Sequence, residues 1–250
     1  MLDPANLLVI ATFLLAGTVK GVIGLGLPTV SLAILTVALD LPSAMALLLV
    51  PSFVTNLWQA GVGGNALLLC RRLWPFLLPA TLCVWIGAQA LLRVELALLS
   101  ALLGLLLVIY AGVSLAGWRA ELGNRQQAWA GPVTGLVNGL LTGMTGSFVV
   151  PGVIYLNAIG LDREQLIQAM GILFTLSTLA LAVSLQHYDL LNGAQLKTSA
   201  IALAPALLGM IIGQRVRRAI AEQAFRRLFF VSLMLLGGYI ATTALLEFGG

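Results

Sequence analysis

Charge is what this chain has least of. Of its 250 residues only 9% are Asp, Glu, Lys or Arg, 60% are apolar, and the mean hydropathy is +1.04. A soluble domain carries about 25% charged residues and needs them to clothe its surface, so a water-soluble fold is excluded. At roughly 20 residues per membrane-spanning helix, the length allows at most about ten crossings and leaves no soluble domain over. Aromatics are also few, with five Trp and four Tyr. No segment alternates apolar and polar residues as a barrel strand does, so the spans are expected to be helices. Only two cysteines occur, Cys70 and Cys83, with no C-x-x-C spacing and no partner histidines. They read as buried small apolar residues, and neither a metal nor a cofactor is expected. The single histidine, His187, sits beside Tyr188 and Asp189 and reads as interfacial. No Lys or Arg precedes Lys20, so the basic region of a cleaved signal peptide is missing and the first helix is expected to stay.

The last absence is the most informative. All nine acidic residues (Asp3, Asp40, Glu95, Glu121, Asp162, Glu164, Asp189, Glu222 and Glu247) lie at segment ends or in loops. Cation pumps and many proton-coupled carriers keep a carboxylate at membrane depth, and these apolar segments offer none.

What is present is a series of apolar blocks at about 5–20, 24–39, 43–61, 74–92, 96–116, 128–143, 146–160, 163–186, 195–214 and 224–246. Asp3 before Pro4 predicts an N-cap, and Asp162 with Gln165 has capping-box spacing. The longest polar connection, 117–127, divides the chain into a first repeat, 1–120, and a second, 121–250. Gly17, Gly21, Gly24, Gly26 and Pro28 face Gly135, Gly139, Gly143, Gly146 and Pro151. Phe53-x-x-Asn56 answers Phe174-x-x-Ser177, and Pro79 with Gly87 answers Pro205 with Gly213. Five segments per half put Arg71, Arg72, Arg119, Arg125, Arg163, Arg215, Arg217, Arg218, Arg226 and Arg227 on one side and Arg93 and Lys197 on the other. That asymmetry is what the positive-inside rule expects, and it puts both termini outside. The net charge of +4 is read the same way, not as a nucleic-acid signal. An odd number of segments per half makes the halves inverted repeats. The fold expected is therefore an all-α polytopic membrane protein of about eight transmembrane helices, or ten segments where broken helices are counted separately.

Lys20 is the one charge within an apolar segment. At that depth a charge costs at least about 2.5–3.5 kcal/mol, and with no carboxylate in the segments an anionic substrate is the obvious counterpart. Gly24 and Gly26 before Pro28, and Gly143, Thr145, Gly146 and Ser147 in the second half, read as helix breaks. Free N–H groups at a restarted helix form an anion site, and paired broken helices point to a transport site near the midplane. Asn138 falls near the position matching Lys20, and Asn56 and Ser177 occupy matching places in the following helices. Each has a plainer reading: Lys20 snorkelling to the interface, the glycines packing helices, and Asn56 and Ser177 bonding between helices.

At these glycine repeats the sequence resembles the sulfite exporter TauE/SafE family, bacterial inner-membrane carriers of two homologous halves. The Ile86-Gly87-Ala88 and Ile212-Gly213-Gln214 patterns fit as well, whereas Gly24-Leu25-Gly26-Leu27 departs from the family's usual glycine triplet. The resemblance implies a carrier of sulfite, an organosulfonate or a similar small oxyanion. With the anion pattern read above, a secondary transporter is expected that holds its substrate between the two breaks and works by alternating access. Membrane lipids are expected partners, nucleic acid is not, and a proton or another ion is a candidate for coupling. The other classes weighed are an intramembrane enzyme, either a hydrolase with Ser147 and Lys20 as a Ser–Lys dyad or a sulfurtransferase, and a non-transporting membrane subunit.

Overall fold

Long runs of Leu, Ala, Val and Ile can satisfy their backbone groups in an apolar medium only by closing i to i−4 hydrogen bonds, so they become helices. The computed structural model describes residues 4–117, 121–217, 219 and 221–249; Asp3, Arg119 and Arg218 lie outside them, as do residues 118–120 at the repeat boundary. The helices are α1 (Pro4–Ile23), α2 (Leu27–Ala38), α3 (Leu41–Gly61), α4 (Ala66–Ala88), α5 (Ala90–Arg93), α6 (Leu96–Ala116), α7 (Asn124–Thr145), α8 (Gly152–Ala158), α9 (Arg163–His187), α10 (Gly193–Val216) and α11 (Glu222–Gly249). No strand occurs among the described residues. Seven segments are long and apolar enough to cross a membrane, with α4 and α5 counted as one. The protein is a multi-pass helical membrane protein. At 22 residues α7 is long enough too, but its first turn is Asn124-Arg125-Gln126-Gln127. By contrast α2 has 12 residues and α8 only 7, about 18 Å and about 10 Å of helix, less than a hydrocarbon core of about 30 Å.

Two compact units form, and each draws on both halves of the sequence. The first comprises Met1–Pro51, Glu95–Gly117 and Leu191–Gly250. Within it α1 runs parallel to α10: Gly17 lies against the Ala206 carbonyl, and Gly21 against Met210 and Gly213. In the same unit α6 runs antiparallel to α11, with Gly104 on Gly237 and Ala241, and Tyr110 edge-on to Phe230 at 5.4 Å. The second unit comprises Ser52–Val94 and Trp118–Leu190. Here α4 runs parallel to α7, with Gly135 on Phe76, Gly139 on Ala80 and Gly143 on Val84.

These two parallel pairs are built alike, and they fix a register the sequence left ambiguous. Gly17 on Ala206, Gly21 on Met210 and Gly213 on Thr18 have counterparts in Gly139 on Ala80, Gly143 on Val84 and Gly87 on Leu140. Gly17 therefore answers Gly139, one helical turn beyond the expected Gly135. In this register Gly24 (φ 88°) answers Gly146 (φ 72°), both in the left-handed region where glycine ends a helix. Thr142, not Asn138, then stands where Lys20 stands.

Pro51 lies inside α3 and has no N–H for the Leu47 carbonyl. Ser199 of α10 fills the gap: its hydroxyl donates to Leu47 O at 2.8 Å and accepts from Val50 N at 3.0 Å. Asp162 caps α9 as its spacing predicts, accepting from Gln165 N at 2.8 Å. The cysteine expectation holds for Cys83, which is buried, and fails for Cys70, which faces outward from α4. In a membrane protein the outer face is apolar as well, so small apolar character does not say which side a residue faces.

Candidate functional site

In the second unit the helix break after α7 is tied together by side chains of α7 itself. Asn138 Oδ1 accepts from Gly152 N at 2.9 Å, and Thr142 Oγ1 donates to Ser147 O at 3.0 Å. Thr145 Oγ1 donates to Leu141 O at 2.7 Å and accepts from Ser147 N at 3.2 Å. The loop thus follows the helix that precedes it. Phe148 packs on Phe174 at 5.9 Å between ring centroids, and Gly152 sits close to Leu173, so the break meets α9 one turn before Ser177. The side chains of Asn138, Thr145, Ser147, Ser177 and Asn56 are all buried in this unit, as are Gly143 and Gly146.

Two features of that clasp bear on anion binding. The N–H groups of Gly152 and Val153 already donate, to Asn138 Oδ1 and to the Val149 carbonyl, so the start of α8 is committed internally. The Thr145 hydroxyl hydrogen is likewise committed to Leu141. What remains is Asn138 Nδ2, Ser177 Oγ and Ser52 Oγ, buried and with no hydrogen-bond partner among the described residues. Because Oδ1 of Asn138 is held by Gly152, the two N–H donors of its amide face the other way. A buried amide and buried hydroxyls with unused hydrogens suit an oxyanion, which only accepts.

The same unit gathers four of its five described arginines at one end. Arg72 donates to the Ile159 carbonyl at 2.7 Å, and Leu122 N donates to Ala158 O at 2.8 Å. The end of α8 therefore returns to the starts of α4 and α7, which brings Arg71, Arg72 and Arg125 together and close to Arg163. Arg93 follows at the far end of α4, where Trp85 packs on His187 at 4.6 Å and on Tyr188 at 5.7 Å.

Lys20, Gly24 and Gly26 belong to the first unit. Lys20 is only 4% exposed despite its charge. The next residue, Gly21, packs on Met210, Gly213 and Gln214, just before Arg215. The first break follows at Gly24 and Gly26 and therefore sits toward the Arg215 end of α10. Gly26 precedes α2 with φ 111° against Val19 and Phe229, and the buried first turn of α2 is Leu27-Pro28-Thr29.

A model of the sulfite exporter TauE/SafE family matches residues 9–240. The chain belongs to that family. No curated protein and no solved structure matches the chain. Membership in TauE/SafE makes it a membrane protein of an anion-exporter family, the class that the sequence pattern pointed to. Several residues that shape this TauE/SafE chain carried no recognisable signal in the sequence. Thr142 holds the second break, Arg72 holds the end of α8, and Ser199 repairs the proline gap in α3. Gln168, wholly buried, donates to Ala60 O at 2.8 Å and accepts from Asn65 N at 3.0 Å, fastening the α3–α4 connection. A glutamine in an apolar run was the only hint of that last role.

Proposed function

We propose that this protein carries a small sulfur oxyanion, sulfite or an organosulfonate, across the bacterial inner membrane by alternating access. Halves 1–120 and 121–250 act as inverted repeats, and both termini lie outside. In support, α6 and α11 hold the same place in their halves and run antiparallel, as inversion requires. Lys20 supplies the charge that draws the anion in from the basic end, and the glycine breaks supply flexible backbone. Asn138 Nδ2, with Ser177 and Asn56, supplies neutral hydrogen-bonding groups, while Gly143 and Thr145 end α7 and Gly146 and Ser147 begin the loop whose far end Asn138 holds at Gly152.

The observation that carries the reading is a buried lysine at a glycine break in a family of anion exporters. Buried donors such as Asn138 Nδ2 and Ser177 Oγ suit an oxyanion better than a cation, because the anion accepts every hydrogen offered. The test is Lys20→Met, which keeps the bulk and deletes the charge. Sulfite affinity in detergent is expected to fall by about 1.5–3 kcal/mol, the scale of a hydrogen bond to a charged group. Sulfite uptake into proteoliposomes should fall with it. Equal dissociation constants for the two proteins would remove Lys20 from the site, and no anion uptake by the unaltered protein would end the transport reading.

A further inference from the structure

The antiparallel pair α6–α11 leaves a cleft at each end, and the two clefts carry opposite charge. One, of about 270 Å³, is lined by Asp40 and Glu247 together with Ser100, Tyr239 and Thr243. The other, of about 460 Å³, is lined by Arg226 and Arg227 with Gln223 and Ser114, and its remaining walls are Leu115, Phe230 and Val231. No carboxylate lines the basic cleft among the described residues. Arg226 lies over the Phe230 ring at 5.9 Å from its centroid, and both side chains line the cleft. Both arginines are exposed, while Leu115 and Val231 continue the apolar outer surface.

We propose that this cleft binds the headgroup of an anionic phospholipid. Two guanidiniums, an amide and a hydroxyl meet the phosphodiester, and Leu115, Phe230 and Val231 border its acyl chain. A purely polar anion would leave those apolar walls unused, and an apolar ligand would leave the arginines unused; an amphiphile uses both. The cleft at the other end of the same helix pair provides an internal control, because its carboxylates repel the same ligand. The charge bias that puts the arginines on the cytoplasmic side also puts the cleft in the leaflet where anionic lipids attract basic residues.

Phosphatidylglycerol titrated into the purified full-length chain in a zwitterionic detergent tests this, with thermal stability and native mass spectrometry as the readouts. The lipid should remain bound and raise the unfolding temperature, while phosphatidylcholine should do neither. Replacing both cations, Arg226→Gln with Arg227→Gln, should weaken phosphatidylglycerol about thirtyfold, two surface cations acting together. Arg226→Lys with Arg227→Lys keeps both charges and should retain most of the binding, and Glu247→Gln should leave it unchanged. Wild-type affinity in the double Gln variant would overturn the proposal. So would equal competition by water-soluble glycerol phosphate, since the cleft would then be a site for free phosphate and not for lipid.

Discussion

Two buried side chains show how much one polar atom can decide in an apolar medium. Asn138 uses its carbonyl oxygen to hold Gly152 and keeps its amide hydrogens for something else. Asn138→Asp retains an acceptor for Gly152 but turns the donor end into an anionic oxygen. Sulfite affinity, measured by calorimetric titration, should drop by about 1.5–3 kcal/mol, as expected where a charge-assisted hydrogen bond is lost. If the Asp variant binds as tightly as the wild type, the amide serves the loop alone. Ser199 raises a question of stability instead. Ser199→Ala removes the hydroxyl bonded to both Leu47 O and Val50 N, and should cost about 1–3 kcal/mol in an unfolding experiment. Ser199→Thr keeps the hydroxyl and should restore most of the loss. An Ala variant of full stability would mean that water or a relaxed α3 satisfies the proline gap.

The helices were legible in the sequence and their register was not. Runs of 20 or more apolar residues can do little in lipid except become helices, and α1 and α7 end just before Gly24 and Gly146, because glycine takes the left-handed conformation that ends a helix. The slip arose because Gly135, Gly139 and Gly143 repeat every four residues, so a shift of one turn still sets glycine on glycine. Only the carbonyls those glycines touch decide the alignment, and carbonyls carry no side-chain letter. Equally unreadable was that the Thr145 hydroxyl would bond its own helix, or that Ser199 would serve a proline 148 positions earlier. The corrected register can be tested directly. A Cβ at Gly21 or at Gly143 would overlap a backbone carbonyl of the facing helix, so each Gly→Ala change should lower thermal stability markedly. Gly238→Ala in α11 meets open space and should be neutral or stabilising, by about 0.5–1 kcal/mol from helix propensity. Indifference to alanine at Gly21 and Gly143 would mean that the parallel pairs do not pack as described.

For the molecule as a whole, the arrangement of charge leads to a statement about sides. In a background with Cys70 and Cys83 replaced by Ala, Arg71→Cys and Arg125→Cys should react with an impermeant reagent only from the cytoplasm, and Asp189→Cys only from outside. Labelling of Arg71→Cys and Asp189→Cys from one face would undo the proposed topology. The end-to-end charge of the first unit has a practical corollary. With Asp40 and Glu247 at one end of α6–α11 and Arg226 and Arg227 at the other, that helix pair is a permanent electric dipole along its own axis. Vesicles formed from anionic lipid should therefore not receive it in equal numbers of both orientations, because one end is drawn to the bilayer surface and the other repelled. Influx and efflux measured on such vesicles will differ simply because more molecules face one way, so a direction can be assigned to transport only after the two orientations have been counted.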